Sequence, residues 1–223
     1  MRAYSDNWRW FPAVPGRLEF TIELRRLLLR ERPRVVAVEL PASLEPHYVR
    51  AVHRLPQITV LVAPDPDDEE RGVYIPVEPA DPFTEAVRTA LEIEAELVFM
   101  EPDLGSKPHV PARYPDPYAV RTLGYDKYVE AYLRRSAPTV PEIQIRAAGI
   151  AWKLQGADSS AHTCVVLSLN LLEPVLEAMR VPQDEPPALA QRREIELIHP
   201  HPDCLAEILI EYPWLQHLYE EWR

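Results

Sequence analysis

Residues 34–39 read RVVAVE, four consecutive apolar residues between Arg34 and Glu39, with Pro33 before them and Pro41 shortly after. Strict alternation of apolar and polar residues marks a strand with one wet face. A short continuous apolar run marks a strand covered on both faces, as in a parallel sheet. Similar runs recur at 58–63 (ITVLVA), 96–100 (ELVFM) and 163–167 (TCVVL). Residues 73–77 and 194–198 are weaker candidates, the first read as an edge strand because Pro76 cannot donate to a ladder.

Helix signals lie between these runs. Leu18, Ile22, Leu27 and Leu28 recur near helical spacing from Gly16 until Pro33 stops the pattern. Pro46 opens a second helix. Asp81-Pro82 opens a third, with Asp81 as N-cap and Pro82 in the first turn. Residues 118–135 read as an aromatic-rich helix. Thr139 and Glu142 fit a capping box for a helix to Leu154. Helices are also expected at 171–179, 202–210 and 213–222. Strands alternating with helices predict an α/β fold, with a mostly parallel sheet of four to five strands and helices on both faces. The break near 181–190 divides a core domain, 1–180, from a C-terminal helical appendage, 181–223, packed on it. Residues 64–72 read as an acidic, proline-punctuated loop. The longer loop at 102–117 is expected to be functional or a lid.

Composition narrows the function. A net charge of −11 argues against a nucleic-acid partner, which would need a basic stripe. With 25 prolines and only 6 glycines the chain is poorly equipped for glycine-rich phosphate cradles. The run Leu104-Gly105-Ser106-Lys107 lacks the spacing of a P-loop. Two cysteines, Cys164 in an apolar run and Cys204, suggest a reducing compartment. The first residues carry no apolar secretory core, and no run reaches the length of a membrane helix. A cytoplasmic protein without membrane contact is expected.

In parallel α/β sheets ligands sit beyond the carboxyl ends of strands. That rule selects Glu39, Pro64-Asp65, Glu101 and Ser168-Leu169-Asn170. A carboxylate at such a place is either a base or metal ligand, or a structural cap. His199 and His201, two apart in an extended segment with Cys204 near, are metal candidates without a completing set of ligands. His47, His53, His109, His162 and His217 are isolated and read as surface or satisfied polar groups. Ser168 sits where a nucleophile elbow would place its serine but lacks the flanking glycines. Trp8, Trp10 and Phe11 are read as pinning the N-terminus to the core rather than as a binding patch.

The segments VVAVELP, VLVAPDPDDEERGVYIPV and LVFMEPD, Arg146 four residues before Ile150-Ala151, and the later VVLSLNLL together resemble the superfamily of TraB, ChaN and erythromycin-esterase-like proteins. That group contains metal-dependent hydrolases, the Tiki proteases among them, and the layout looks closest to its large bacterial members. The resemblance spans most of the chain and implies Glu39, Glu101 and Arg146 as catalytic candidates. The family's Gly-x-x-His motif before the first helix is replaced at 11–17 by a stretch without histidine. A second one, after the later strand, is replaced by Ser168-Leu169-Asn170-Leu171. Leucine can neither ligate a metal nor move a proton.

The resemblance therefore implies a catalytically degenerate member acting as a binding or scaffolding domain, with no cofactor. The alternative is a divalent-metal hydrolase with a rearranged site on Glu39, Glu101 and Arg146, helped by His162 or His109. In a structural role Arg146 would pair with Glu101 or Glu142. A third reading is a subunit of a larger assembly. It would dock a protein partner, or a second copy, through Trp214, Leu218 and Trp222 of the last helix.

Overall fold

A computed structural model describes residues 6–65, 68–134, 140–186 and 194–223. Four strands form a parallel sheet in the order β1-β6-β2-β5: β1 (Trp8–Ala13), β2 (Val35–Pro41), β5 (Glu96–Glu101) and β6 (Thr163–Ser168). The remaining three, β3 (Thr59–Asp65), β4 (Asp68–Val77) and β7 (Glu196–Ile198), form a separate antiparallel sheet in the order β4-β3-β7.

Helices cover both faces of the parallel sheet. On one side Phe20, Leu24 and Leu28 of α1 (Leu18–Glu31) and Phe83, Val87 and Ala90 of α3 (Pro82–Glu92) pack with Val36, Val38 and Phe99. On the other, Ile143, Ala147 and Ile150 of α6 (Pro141–Gln155) and Leu172 and Val175 of α7 (Leu172–Ala178) pack with Trp8, Trp10, Val165 and Leu167. The alternation of β2 explains its continuous apolar run, because Val36 and Val38 enter one cluster and Ala37 the other. Burying this much apolar surface at roughly 25 cal/mol per Å² is the main stabilising term.

Several expectations need correction. Residues 58–63 and 194–198 do not join the parallel sheet. Only two residues separate the end of β3 at Asp65 from the start of β4 at Asp68, and so short a connection can only join antiparallel strands, since a parallel pair needs a crossover of a dozen or more residues. The expected loop at 64–72 is largely strand, with Gly72 opposite Pro64 across the ladder; Pro66 and Asp67 lie outside the described residues. β7 pairs antiparallel with the free edge of β3, Leu197 opposite Leu61. The strand β1 was not anticipated. Its Trp8, Trp10 and Phe11 are buried, and Phe11 stacks on Tyr125 at 4.6 Å. The helix expected at 118–135 is broken into α4 (Val120–Leu123) and α5 (Tyr125–Leu133) by Gly124 at φ +85°, a conformation that other residues avoid. Helix α6 is capped at Val140 without a side-chain hydrogen bond. Thr139 of the expected capping box lies outside the described residues.

The remaining helices are α2 (Glu45–Val52), α8 (Leu205–Ile208) and α9 (Pro213–Trp222). The C-terminal segment is tied to the core by polar contacts: Ala80 N–H donates to Gln216 at 2.6 Å, and Arg223 donates to Glu85 at 3.0 Å. Among the described residues no helix is long and apolar enough to cross a membrane.

Candidate functional site

The carboxyl ends of β6, β2 and β5 lie side by side, so Ser168, Glu39 and Glu101 share one rim. Glu39 and Ser168 are sealed from solvent. Ser168 donates both its backbone N–H and its hydroxyl to Glu39, the hydroxyl at 3.0 Å. His109 Nδ1 is 3.0 Å from Oε1 of the same carboxylate and 3.3 Å from the Ser168 hydroxyl. A carboxylate facing one ring nitrogen takes the N–H of that nitrogen and fixes the orientation of the ring. The imidazole lies against the Phe83 ring at 3.8 Å, and its backbone is left-handed at φ +63°. Left-handed geometry at a residue other than glycine is uncommon and concentrates where surrounding contacts impose it.

Glu101 does not join this cluster. It forms an ion pair with Arg146 that is buried on both sides. The same guanidinium donates to Glu142 at 2.8 Å, to the Ser106 hydroxyl at 2.7 Å and to the Lys107 carbonyl at 2.8 Å. Arg146 thus clamps the 102–116 loop, and its donors are committed to protein groups rather than presented to a ligand. Further along, Asn170 donates to the Val110 carbonyl at 3.1 Å and accepts from Tyr114 at 2.9 Å. Tyr128 donates to the Pro115 carbonyl at 2.7 Å. Burial first, and the nearby Glu39 second, push the Tyr114 hydroxyl above its ordinary value. Three candidate residues therefore hold one loop, and the loop delivers His109.

That delivery ends at a cavity of about 460 Å³ between the parallel rim and the antiparallel sheet. Its walls include Leu40, Val60, Val62, Ile198 and Ile210, with His109, Lys107, Glu78 and Asp81 as polar members. Volume and composition match those of small-molecule sites. The ladder of β3 and β4 explains the wall: Val60 opposes Pro76 and Val62 opposes Tyr74, all lining the cavity, while Leu61 faces the core. Glu207 also lines the cavity, and the two buried acids, Asp81 and Glu78, already have partners. Asp81 accepts from the N–H groups of Gly16 and Thr84 at 2.8 Å each. Glu78 accepts from Ile210 N–H at 3.2 Å and from Gln216 at 2.7 Å. Burial raises the Asp81 carboxyl against the lowering pull of His109. Burial, reinforced by Asp81, pushes Glu78 up to about 8. A larger groove of about 780 Å³ follows the β5 edge past Arg34, Glu96 and Trp152, and reaches none of Glu39, Glu101, Arg146 or His109.

The other candidates are dispersed. His199 is near Arg54 and the Ile58 carbonyl, each at 3.3 Å, and His201 accepts from Asp203 N–H at 3.3 Å. Among the described residues no three His, Cys, Asp or Glu side chains converge as metal ligands. His162 precedes β6 at the amino end of the sheet, where its carbonyl accepts from Arg34 at 2.9 Å. It lies at the wrong end of the strand to assist Glu39. Trp214, Leu218 and Trp222 are 60%, 46% and 51% exposed, with Arg26 over the Trp222 ring at 5.9 Å. Sequence reasoning undervalued His109, because only a loop closing over the rim brings it to Glu39, 70 residues away.

Comparison with protein-family models, with curated proteins and with solved structures finds no match for this chain.

Proposed function

We propose that this chain is a small-molecule-binding domain, a catalytically degenerate member of the TraB, ChaN and erythromycin-esterase-like superfamily. The reading is supported above all by the loop that Glu39 and Arg146 hold in place, which presents His109 to a largely apolar cavity. Degeneracy is supported by Leu171, at a position where the resemblance calls for histidine. That side chain is buried in the apolar cluster between α6, α7 and the sheet. Arg146 is a positioning residue in this reading, as is Glu39.

The test uses N-phenyl-1-naphthylamine, a neutral probe that fluoresces in apolar sites. Saturable binding to the wild type, weakened by Val62→Asp in the cavity wall, is expected. Nitrophenyl acetate and nitrophenyl phosphate, offered with zinc, manganese or neither, are expected to show no turnover above buffer. Turnover that His109→Ala abolishes would instead establish the second reading, a hydrolase with a rearranged site. The specific observation favouring that alternative is the Glu39–His109 hydrogen bond, which orients a base. A third reading, docking through the exposed stripe of Trp214, Leu218 and Trp222, is supported by their exposure. Light scattering after size exclusion separates it: a monomer whose elution is unchanged by Trp214→Glu removes self-association.

A further inference from the structure

One wall of the cavity belongs to the C-terminal segment, through Glu207, Ile208 and Ile210. That segment, α8 and α9 with the turn between them, is held differently from the helices that cover the sheet. Helix α3 buries Phe83, Ala86, Val87 and Ala90. Between Leu205 and Trp222 only Leu209 and Tyr219 are buried apolar side chains, while Ile210, Tyr212, Trp214, Leu218 and Trp222 are exposed. The hold is polar. Gln216 accepts from Ala80 N–H at 2.6 Å and donates to Glu78 at 2.7 Å, and Ile210 N–H donates to Glu78 at 3.2 Å. Arg88 donates to Glu220 at 2.9 Å, and Arg223 donates to Glu85 at 3.0 Å and to Glu92 at 2.8 Å. Hydrogen bonds are exchanged for bonds to water at a small net cost, whereas lifting a core helix exposes apolar surface. The core side is not left with orphaned charges, because Glu85 and Glu92 each retain Arg25, at 3.1 and 3.0 Å.

We infer that residues 205–223 form a strap that opens as a unit while both sheets stay folded, and that its opening admits ligand to the cavity. The second half of this rests on the binding-domain reading and adds the route of entry to it. Segments with few buried apolar contacts open well below the free energy of global unfolding, and lids are drawn from them. With the strap away, the wall of Glu207, Ile208 and Ile210 is gone and Glu78 meets water. Asp81 keeps its bonds to Gly16 and Thr84, and the β3–β4 ladder keeps the opposite wall in place.

Two measurements test it. In hydrogen exchange read by mass spectrometry, peptides covering 205–222 are expected to exchange together, at least tenfold faster than those covering β2 and β6. Equal protection of the two sets overturns the strap. The second measurement fixes the strap in place. Arg88→Cys and Glu220→Cys, in a Cys204→Ser background, are bridged by a short bismaleimide, with the buried Cys164 left unreacted. Bridging is expected to slow both that exchange and the association of N-phenyl-1-naphthylamine, followed by stopped-flow fluorescence, at least tenfold relative to the unbridged protein. An association rate unchanged by the bridge overturns the gate while leaving the binding-domain reading intact. If the cysteine variant fails to fold, Glu220→Gln, which loosens the same clasp, should speed exchange and association several-fold, and no change in either overturns the inference. Failure of the naphthylamine to bind at all removes the binding-domain reading and the entry route with it, and the exchange pattern then decides the strap alone.

Discussion

Glu101 and Arg146 form an ion pair in which each side chain is 1% exposed, and the guanidinium continues from it to Glu142, Ser106 and the Lys107 carbonyl. One buried cation therefore ties the end of β5, helix α6 and the 102–116 loop together. Taking such charges out of water is costly, and the pair is stable only while both members and their hydrogen bonds are present.

Removing one member should be far worse than replacing both. Arg146→Met leaves Glu101 buried and unpaired, with an expected loss of about 3–5 kcal/mol. The double variant Glu101→Leu with Arg146→Met should recover much of that loss. Urea unfolding of the three proteins measures it; equal losses in the single and double variants would refute the coupling.

Loosening the loop should be visible before the fold is lost. Glu39→Gln keeps the shape of the side chain but weakens the acceptor shared by Ser168 and His109. Cleavage by trypsin after Arg113 is expected to speed up several-fold in this variant, with circular dichroism unchanged. Unchanged cleavage would mean that the other anchors suffice.

Gly149 lies inside α6, where alanine ordinarily gains about 0.5–1 kcal/mol. Here a Cβ would come within 2.5 Å of the Pro102 ring, whose closed geometry cannot swing aside. Gly149→Ala should therefore destabilise by about 1–3 kcal/mol, as overpacking does. A neutral or stabilising result in thermal unfolding would show that the β5–α6 contact is loose.

Stability should fall as pH rises, in a window set by Glu78. Its carboxyl titrates near 4.5 unfolded and at about 8 folded. Between those values the folded state holds a proton that the unfolded state has released. The stabilisation is complete below about 4.5 and lost as pH climbs through 8. Glu78→Gln should flatten that decline, a difference on the order of a few kcal/mol between the extremes. Parallel curves for wild type and variant, from denaturant titrations at pH 5 to 9, would remove Glu78 as the cause.

The two thiols should separate cleanly. Burial pushes Cys164 up to about 12, while Cys204 is exposed. Thiolate and access both govern alkylation. Iodoacetamide is expected to label Cys204 in the native protein and Cys164 only after denaturation, as peptide mass mapping reads directly.

Much of the parallel sheet was legible because its strands are apolar on both faces, and VVAV or TCVVL can be read without knowing their neighbours. The same signal misled at ITVLVA. There too both faces are apolar, but Leu61 faces the core and Val60 and Val62 line a cavity. Periodicity reports which faces are apolar; it carries no information on whether a helix or a cavity lies against them.

Sequence by itself determined the α/β character, most of the helices, and the placing of Glu39, Glu101 and Ser168 at strand ends, since each depends on local spacing and short-range sterics. Only the tertiary structure decided that Arg146 serves Glu101 and the loop, that β3 and β7 form a second sheet, and that His109 meets Glu39. Those outcomes depend on contacts between residues some 40 to 140 positions apart in the chain. Contacts at such separations arise from how elements pack, and no local pattern encodes them.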